Sequence, residues 1–289
     1  MKEIVKEKIA SLLSGDEEIQ RVEQLGGMTN QNYLVKTSSN QYIVKFFGKG
    51  TDKLIDRKNE KFNIELLKDL KLDVENYLFD IEAGIKVNQY IENAETLDSA
   101  TIKTKFEKIA PILQTIHASG KELKGEFAPF EEIKKYESLI QGEISYPNYE
   151  AIRKSVFSLK DQLEEIGIDK KSCHIDLVPE NFIEGPDGHL YLIDWEYSSI
   201  NDPMWDLAAL FLESEFTSAE EEDFLSHYES DKTPVSREKI RIYKILQDII
   251  WSLWTIYKEE NGADFGDYGI SRYNRAVKEL ESEGDLNEN

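Results

Sequence analysis

The sequence predicts an α+β protein in which a small, sheet-bearing N-terminal part precedes a larger, mostly helical part. Strand-like apolar runs cluster in the first 90 or so residues, helical stripes dominate after them, and one strong hairpin signal interrupts the helices. In order, residues 1–14 read as a short helix with Ile4, Val5, Ile9, Leu12 and Leu13 apolar. The turn-rich Leu25-Gly26-Gly27-Met28-Thr29-Asn30 leads into Tyr33-Leu34-Val35. Tyr42-Ile43-Val44-Lys45-Phe46-Phe47 is apolar on both pleat faces, the mark of a buried strand, and Gly48 and Gly50 end it. A helix is expected over about 58–70, with Phe62, Leu66 and Leu70 at helical spacing, and another strand over 85–91. Beyond it, Phe106, Ile109, Leu113 and Ile116 make one helical stripe and residues 150–166 a further helix. Residues 181–184 and 189–194 flank Gly185-Pro186-Asp187-Gly188, a turn between two apolar runs. Helices resume after Pro203, and the polar, acidic stretch 279–289 reads as a frayed tail. A boundary near residue 90 therefore separates a domain over 1–90 from one over 91–289.

Charge and composition narrow the function classes. Thirty-five Lys and Arg against 57 Asp and Glu give a net charge of −22, which repels phosphate backbones and anionic membrane surfaces, so neither nucleic acid nor membrane is an expected partner. Hydrophobic residues at 40% and aromatics at 11% are enough for a packed core. A single cysteine, Cys173, excludes an internal disulfide and a multi-Cys zinc site and favours a reducing compartment. The N-terminus lacks the apolar segment of a signal peptide, and no run approaches the roughly 18 apolar residues of a membrane span. A cytoplasmic protein is expected. The sequence carries no signal for an oligomeric state.

Two charges fall in apolar surroundings. Lys45 lies within the buried strand, and Glu60 shares a helix face with Ile64 and Leu67. Buried charges need partners, and an ion pair between Lys45 and Glu60 satisfies both. A lysine snorkelling from a strand edge and an unrelated glutamate fit the pattern as well. A strand lysine with a helix glutamate is what a phosphate-holding kinase lobe uses. The Gly26-Gly27 turn suits a backbone that approaches phosphates closely, although any β-turn can contain two glycines. No Walker-type loop is present.

The sharpest motif is His174-Ile175-Asp176-Leu177-Val178-Pro179-Glu180-Asn181. Asn181 opens the first hairpin strand and Asp194 closes the second, so both point from one end, with Asp176 just before it. An amide oxygen and a carboxylate suit a hard divalent cation such as Mg²⁺, and a further carboxylate can accept or orient a hydroxyl proton. Turn-capping Asp and Asn residues are the alternative reading. In the helix over about 240–258, Ile242, Ile245, Leu246, Ile249, Leu253 and Ile256 form one aliphatic core stripe. Trp251 and Trp254 lie about 140–160° from its centre. They pack against a neighbouring helix or wall an aromatic cage for a quaternary ammonium, which has no N–H to donate.

The catalytic segment resembles the loop shared by protein kinases and the aminoglycoside/choline kinase group. Protein kinases fit poorly, because no Arg follows His174, Trp195-Glu196 follows Asp194, and no Ala-Pro-Glu segment comes after. Leu192-Ile193-Asp194-Trp195-Glu196-Tyr197, Asn201-Asp202-Pro203-Met204-Trp205-Asp206 and Leu212-Glu213 resemble the choline/ethanolamine kinase signature, with similarity from Gly26 to about Arg272 and closest to the bacterial lic-type branch. The resemblance implies a bilobal protein-kinase-like fold, with a small N-terminal antiparallel-sheet lobe and a larger helical C-terminal lobe. It implies ATP and Mg²⁺ as cofactors and choline as the substrate, converted to phosphocholine that feeds decoration of cell-surface polymers.

Carried over by position, Lys45 holds the α/β-phosphates, Glu60 fixes Lys45, and Gln89, Tyr90 and Ile91 form the adenine hinge. Asp176 is the base or hydroxyl orienter, Asn181 and Asp194 bind Mg²⁺, and Asp206 braces the loop. His174 is a structural member of that loop. Trp251, Trp254 and Tyr268 wall the choline pocket, Glu213 is its carboxylate, and Tyr197 lines it. Val178 departs from the eukaryotic pattern, which has glutamine there. His117, His189 and His227 lack metal-ligand spacing and read as packing or surface residues. Related acceptors such as ethanolamine, an aminoglycoside or a sugar remain alternatives, as does a non-catalytic kinase-like binding module.

Overall fold

The computed structural model describes residues 2–9, 12–13, 17–27, 30–48 and 50–287. The chain runs through α1 (Lys2–Ile9), β1 (Ile19–Gln24), β2 (Gln31–Thr37), β3 (Gln41–Phe46), α2 (Arg57–Leu67), β4 (Asn76–Asp80), β5 (Ile85–Gln89) and β6 (Glu95–Thr96). It continues through α3 (Phe106–His117), α4 (Pro129–Leu139), α5 (Tyr149–Ile166), β7 (Lys171–Cys173), β8 (Phe182–Glu184), β9 (Leu190–Leu192) and β10 (Ser199–Asn201). Four helices follow, α6 (Pro203–Glu213), α7 (Ser218–Tyr228), α8 (Arg237–Glu260) and α9 (Tyr268–Asn287). Two compact units result. The first extends to Thr101 and takes in Pro179–Tyr197; the second comprises Ile102–Val178 and the chain from Ser198 onward. The expected boundary near 90 thus falls inside the first unit. The chain returns there because β6 pairs with β8 and the Leu97 amide donates to the Phe182 carbonyl at 2.9 Å.

In the first unit, five antiparallel strands lie in the order β1-β2-β3-β5-β4. The predicted buried strand is β3, flanked on both sides. Strand alternation then splits its residues between two environments. Tyr42 and Val44 join Tyr33, Val35, Ile85, Val87 and the α1 residues Val5 and Ile9 in an apolar core. The alternate positions place Lys45 directly opposite Lys86 of β5, and both are buried. The α2 residues buried are Arg57, Glu60, Asn63 and Leu67. The expected apolar stripe is not the inner face of this helix: Phe62 is 39% exposed, and Leu66 and Leu70 are half-buried. The hydropathy pattern misreads α2 because much of its buried surface is ionic.

In the second unit, α8 packs against α4, α5, α6 and α9. The expected aliphatic stripe is buried from Ile242 to Leu253, and Ile256 is half-buried. The opposite face is buried as well, Trp251 and Trp254 included. Asp248 on α8 accepts from Arg272 at 3.1 Å and from both Nε and NH2 of Arg275 at 2.6 Å, which joins α8 to α9. The stretch expected to fray from Glu279 instead continues α9 to Asn287; residues 288 and 289 of that stretch, and residues 1, 10, 11 and 14 of the predicted N-terminal helix, lie outside the described residues.

Removing Asp248 would leave Arg272 buried with one partner fewer. Asp248→Ala is expected to lower unfolding stability by about 3–5 kcal/mol. Arg237→Ala, which breaks the exposed pair with Glu222, is expected to cost less than about 1 kcal/mol. Urea unfolding of the two variants checks this ordering, and equal midpoints would contradict it.

Candidate active site

The His174–Val178 segment leaves β7 in an unfavourable conformation. Ile175 has φ 78°, a left-handed value that costs a β-branched residue about 1–3 kcal/mol. Asp206, fully buried on α6, accounts for its persistence. One carboxylate oxygen accepts the His174 amide and the other the Ile175 amide, both at 2.8 Å. Trp205 Nε1 donates to the Ile175 carbonyl at 3.0 Å. Hydrogen bonds to a charged group contribute about 1.5–3 kcal/mol each, so the pair at Asp206 offsets the strain. The next residue is Asp176, whose direction this turn sets. Asp206 therefore braces the loop as expected.

His117 does more than the packing expected of it. Its Nε2 lies 3.0 Å from Asp206 Oδ2 and its Nδ1 2.7 Å from the Tyr228 hydroxyl. A carboxylate can only accept, so Nε2 carries a proton toward Asp206, while Nδ1 shares a hydrogen bond with the Tyr228 hydroxyl. Asp206, His117 and Cys173 also bring their ligand atoms within 4.8 Å of one another. The backbone amides and His117 already engage both Asp206 oxygens, so this cluster serves the loop.

The first unit holds a second set of charged residues. Lys45 Nζ lies 2.8 Å from Asp194 Oδ1. The expected Lys45–Glu60 pair is not formed. Glu60 Oε1 accepts from Lys86 at 2.5 Å and Oε2 from Arg57 at 2.7 Å. Two buried lysines stand side by side, and each takes its own carboxylate. Burial opposes the charge on Lys86, but Glu60, Asp194 and Glu196 outweigh it and hold its pKa above the ordinary value. Arg57 also donates to Glu196 at 2.9 Å, and Asn30 Nδ2 donates to the same oxygen at 2.7 Å. Burial and the nearby Asp194 charge push the Glu196 carboxyl up, against the pull of Arg57. Lys86, Arg57, Glu196 and Asn30 were not singled out by the sequence reading. Lys86 carries the same signal as Lys45, a lysine between apolar strand residues.

Asn181 and Asp194 flank the β8–β9 hairpin, and the Ile193 amide donates to the Asn181 carbonyl at 2.9 Å. This bond keeps the two residues at one end of the hairpin. Asp194 also adopts a left-handed conformation, with φ 70°. The Gly26–Gly27 turn joins β1 to β2. Gly27 has φ 154°, and a Cβ there would collide with the Asn32 amide group, whose Nδ2 donates to the Gly26 carbonyl at 2.8 Å. Met28 and Thr29 lie outside the described residues. Among the residues expected to form the hinge, the Gln89 amide donates to the Glu75 carbonyl at 2.8 Å, and the Ile91 carbonyl accepts from the Ala94 amide at 3.3 Å. Tyr197 ends a short 3-10 turn in the first unit.

In the second unit, the Trp251 and Trp254 rings lie 6.4 Å apart and nearly perpendicular, at 87°. Trp254 meets Phe265 at 5.0 Å, and Phe265 meets Tyr268 at 6.4 Å. The Arg272 guanidinium lies 4.7 Å from the Tyr268 ring centroid and bonds to Glu213. The expected pocket carboxylate is therefore already ion-paired. Burial pushes the Tyr268 hydroxyl up, and the Glu213 and Asp176 charges add to that against Arg272. Asp176 is thus within electrostatic reach of the aromatic cluster.

A family model described as choline/ethanolamine kinase matches residues 21–241. Protein LicA of Haemophilus influenzae is 32% identical over 269 residues, covering 89% of this chain and 79% of the relative. The crystal structure of choline kinase LicA from Streptococcus pneumoniae is 76% identical, with a TM-score of 0.95 over 98% of this chain and 99% of that one. A structure of LicA in complex with AMP is 77% identical, with a TM-score of 0.92, covering 97% and 98% of the two chains.

Asp206→Ala is expected to lower turnover by roughly two orders of magnitude through misplacement of Asp176, while the Michaelis constant for nucleotide changes less than about threefold. Steady-state kinetics check the split, and unchanged turnover would contradict the bracing role.

Proposed function

This chain belongs to the choline/ethanolamine kinase family and is an ATP-dependent kinase, and we propose that the hydroxyl it phosphorylates is that of choline, giving phosphocholine and ADP. The observation that carries the choice of acceptor is the perpendicular Trp251–Trp254 pair, continued by Phe265 and Tyr268 in the unit that also holds Asp176. A trimethylammonium group offers no N–H, so aromatic faces recognise it where hydrogen-bond acceptors cannot. The likeness to choline kinase LicA supports the same acceptor.

In this reading Asp176 accepts a hydrogen bond from the choline hydroxyl and orients it toward the γ-phosphoryl group, taking up its proton as the new P–O bond forms. The tryptophans and Tyr268 hold the cationic end. Lys45 offsets phosphate charge, and the Gly26–Gly27 turn presents backbone amides to the phosphates. Tyr90 and Ile91 contact adenine through their backbone. The amide oxygen of Asn181 and the carboxylate of Asp194, kept together by the Ile193–Asn181 bond, are the hard donors that Mg²⁺ favours. When bound there, the ion neutralises charge on the phosphates. Glu60 acts through Lys86 and Arg57. We place the reaction in the cytoplasm, in keeping with a lone, buried, free Cys173. Among the described residues no helix is long and apolar enough to cross a membrane.

ADP release measured across choline, ethanolamine, kanamycin and methylthioribose tests the acceptor. Choline is expected to give the highest kcat/KM, and preference for another acceptor would overturn the assignment. Asp176→Ala is expected to reduce kcat by at least about a thousandfold with nucleotide affinity little changed; near-normal turnover would remove Asp176 from its role. Trp254→Ala is expected to raise the choline KM by about tenfold or more while the ATP KM stays within about twofold. Equal effects on both would point to packing alone.

A further inference from the structure

The first unit buries two lysines directly opposite each other on neighbouring strands. Opposed residues on one face of an antiparallel pair have Cβ atoms about 4.5–5.5 Å apart, so these ammonium groups repel each other unless each is neutralised locally. Lys45 is 6% exposed and Lys86 3%. Two carboxylates serve them, and the pairing is divided: Lys86 takes Glu60 at 2.5 Å, and Lys45 takes Asp194 at 2.8 Å. Arg57 closes the set by bonding Glu60 and Glu196. Lys45, Arg57 and Lys86 thus share their direct contacts among Glu60, Asp194 and Glu196, and Asp73 stands within electrostatic reach of both lysines.

We propose that Lys86 is a positioning residue of the phosphate site: by occupying Glu60, it keeps the Lys45 ammonium on Asp194, where the nucleotide is to be met. This rests on the kinase reading of the site. Without the Lys86 charge, Glu60 keeps only Arg57, and Lys45 is the neighbouring ammonium able to replace the lost partner. Lys45 is then drawn away from Asp194 toward Glu60. The harm done by losing Lys86 therefore depends on the Glu60 carboxylate, which a simple packing role does not require.

The test is nucleotide binding by calorimetry, alongside steady-state kinetics, on the full chain. Lys86→Met, which keeps most of the aliphatic stem, is expected to weaken MgATP binding and raise the ATP KM by about tenfold, with the choline KM unchanged. Lys86→Arg is expected to restore both values. The double variant Lys86→Met, Glu60→Gln is expected to bind MgATP better than Lys86→Met alone, because the Glu60 carboxylate that lost its lysine is no longer there to draw Lys45 from Asp194. Lys86→Gln gives the same comparison, with and without Glu60→Gln, where the methionine variant does not fold. Unchanged nucleotide affinity in a folded Lys86 variant would overturn the proposal, as would a double variant that binds more weakly than the single one. Absence of nucleotide binding by the parent protein would overturn the kinase reading and this proposal together. Turnover of the parent with unaltered Lys86 variants would overturn only this one.

Discussion

A single carboxylate holds the loop that leads into Asp176 in a conformation that its own residues disfavour. Asp206 accepts both amides that precede Asp176, and it does so without solvent to compete. Those bonds keep Ile175 at a φ that a β-branched side chain avoids. His117 and Tyr228 extend the arrangement to α3 and α7. The direction of Asp176 is therefore fixed by the helical packing around α6. In a phosphoryl transfer that depends on positioning, small errors of direction lower the rate steeply.

The first unit solves a different problem. Its sheet buries one apolar face against α1, while the alternate positions of β3 and β5 carry two lysines. α2 contributes Arg57 and Glu60 to the same ion network. Buried ion pairs of this kind add little net stability, because desolvation offsets attraction. Their value here is geometric, since they specify which lysine faces Asp194. Glu196, two residues after Asp194, ties that segment to Arg57 and to Asn30 beside the glycine turn. One network thus links Asn30, the helix and the proposed metal-binding segment.

The order of elements was legible in the sequence wherever hydropathy and burial agree. β3, the 181–194 hairpin and the helices after Pro203 follow from apolar periodicity and turn chemistry. The pattern failed on α2, where the apolar stripe of Phe62 is exposed and the buried face is charged. On α8 the aliphatic stripe is buried as expected, but the helix is buried on both sides, so angular offset from that stripe could not choose between a packing and a cage role for the tryptophans. The types of charged residue at the site were legible; their pairing was not. Lys45 and Glu60 each needed a partner, but Lys86 on β5 and Arg57 one turn before Glu60 on α2 took the Glu60 carboxylate. The role of His117 was hidden because its partners, Asp206 and Tyr228, are 89 and 111 residues away in sequence. Long-range hydrogen bonds leave no periodic trace.

The dependence of the loop on Asp206 is open to direct observation. A crystal structure of the Asp206→Ala protein is predicted to show Ile175 relaxed from φ 78° to a negative value and the Asp176 carboxylate displaced, with the Asn181–Ile193 hydrogen bond retained. Ile175 still left-handed, with Asp176 in its original position, would contradict the account.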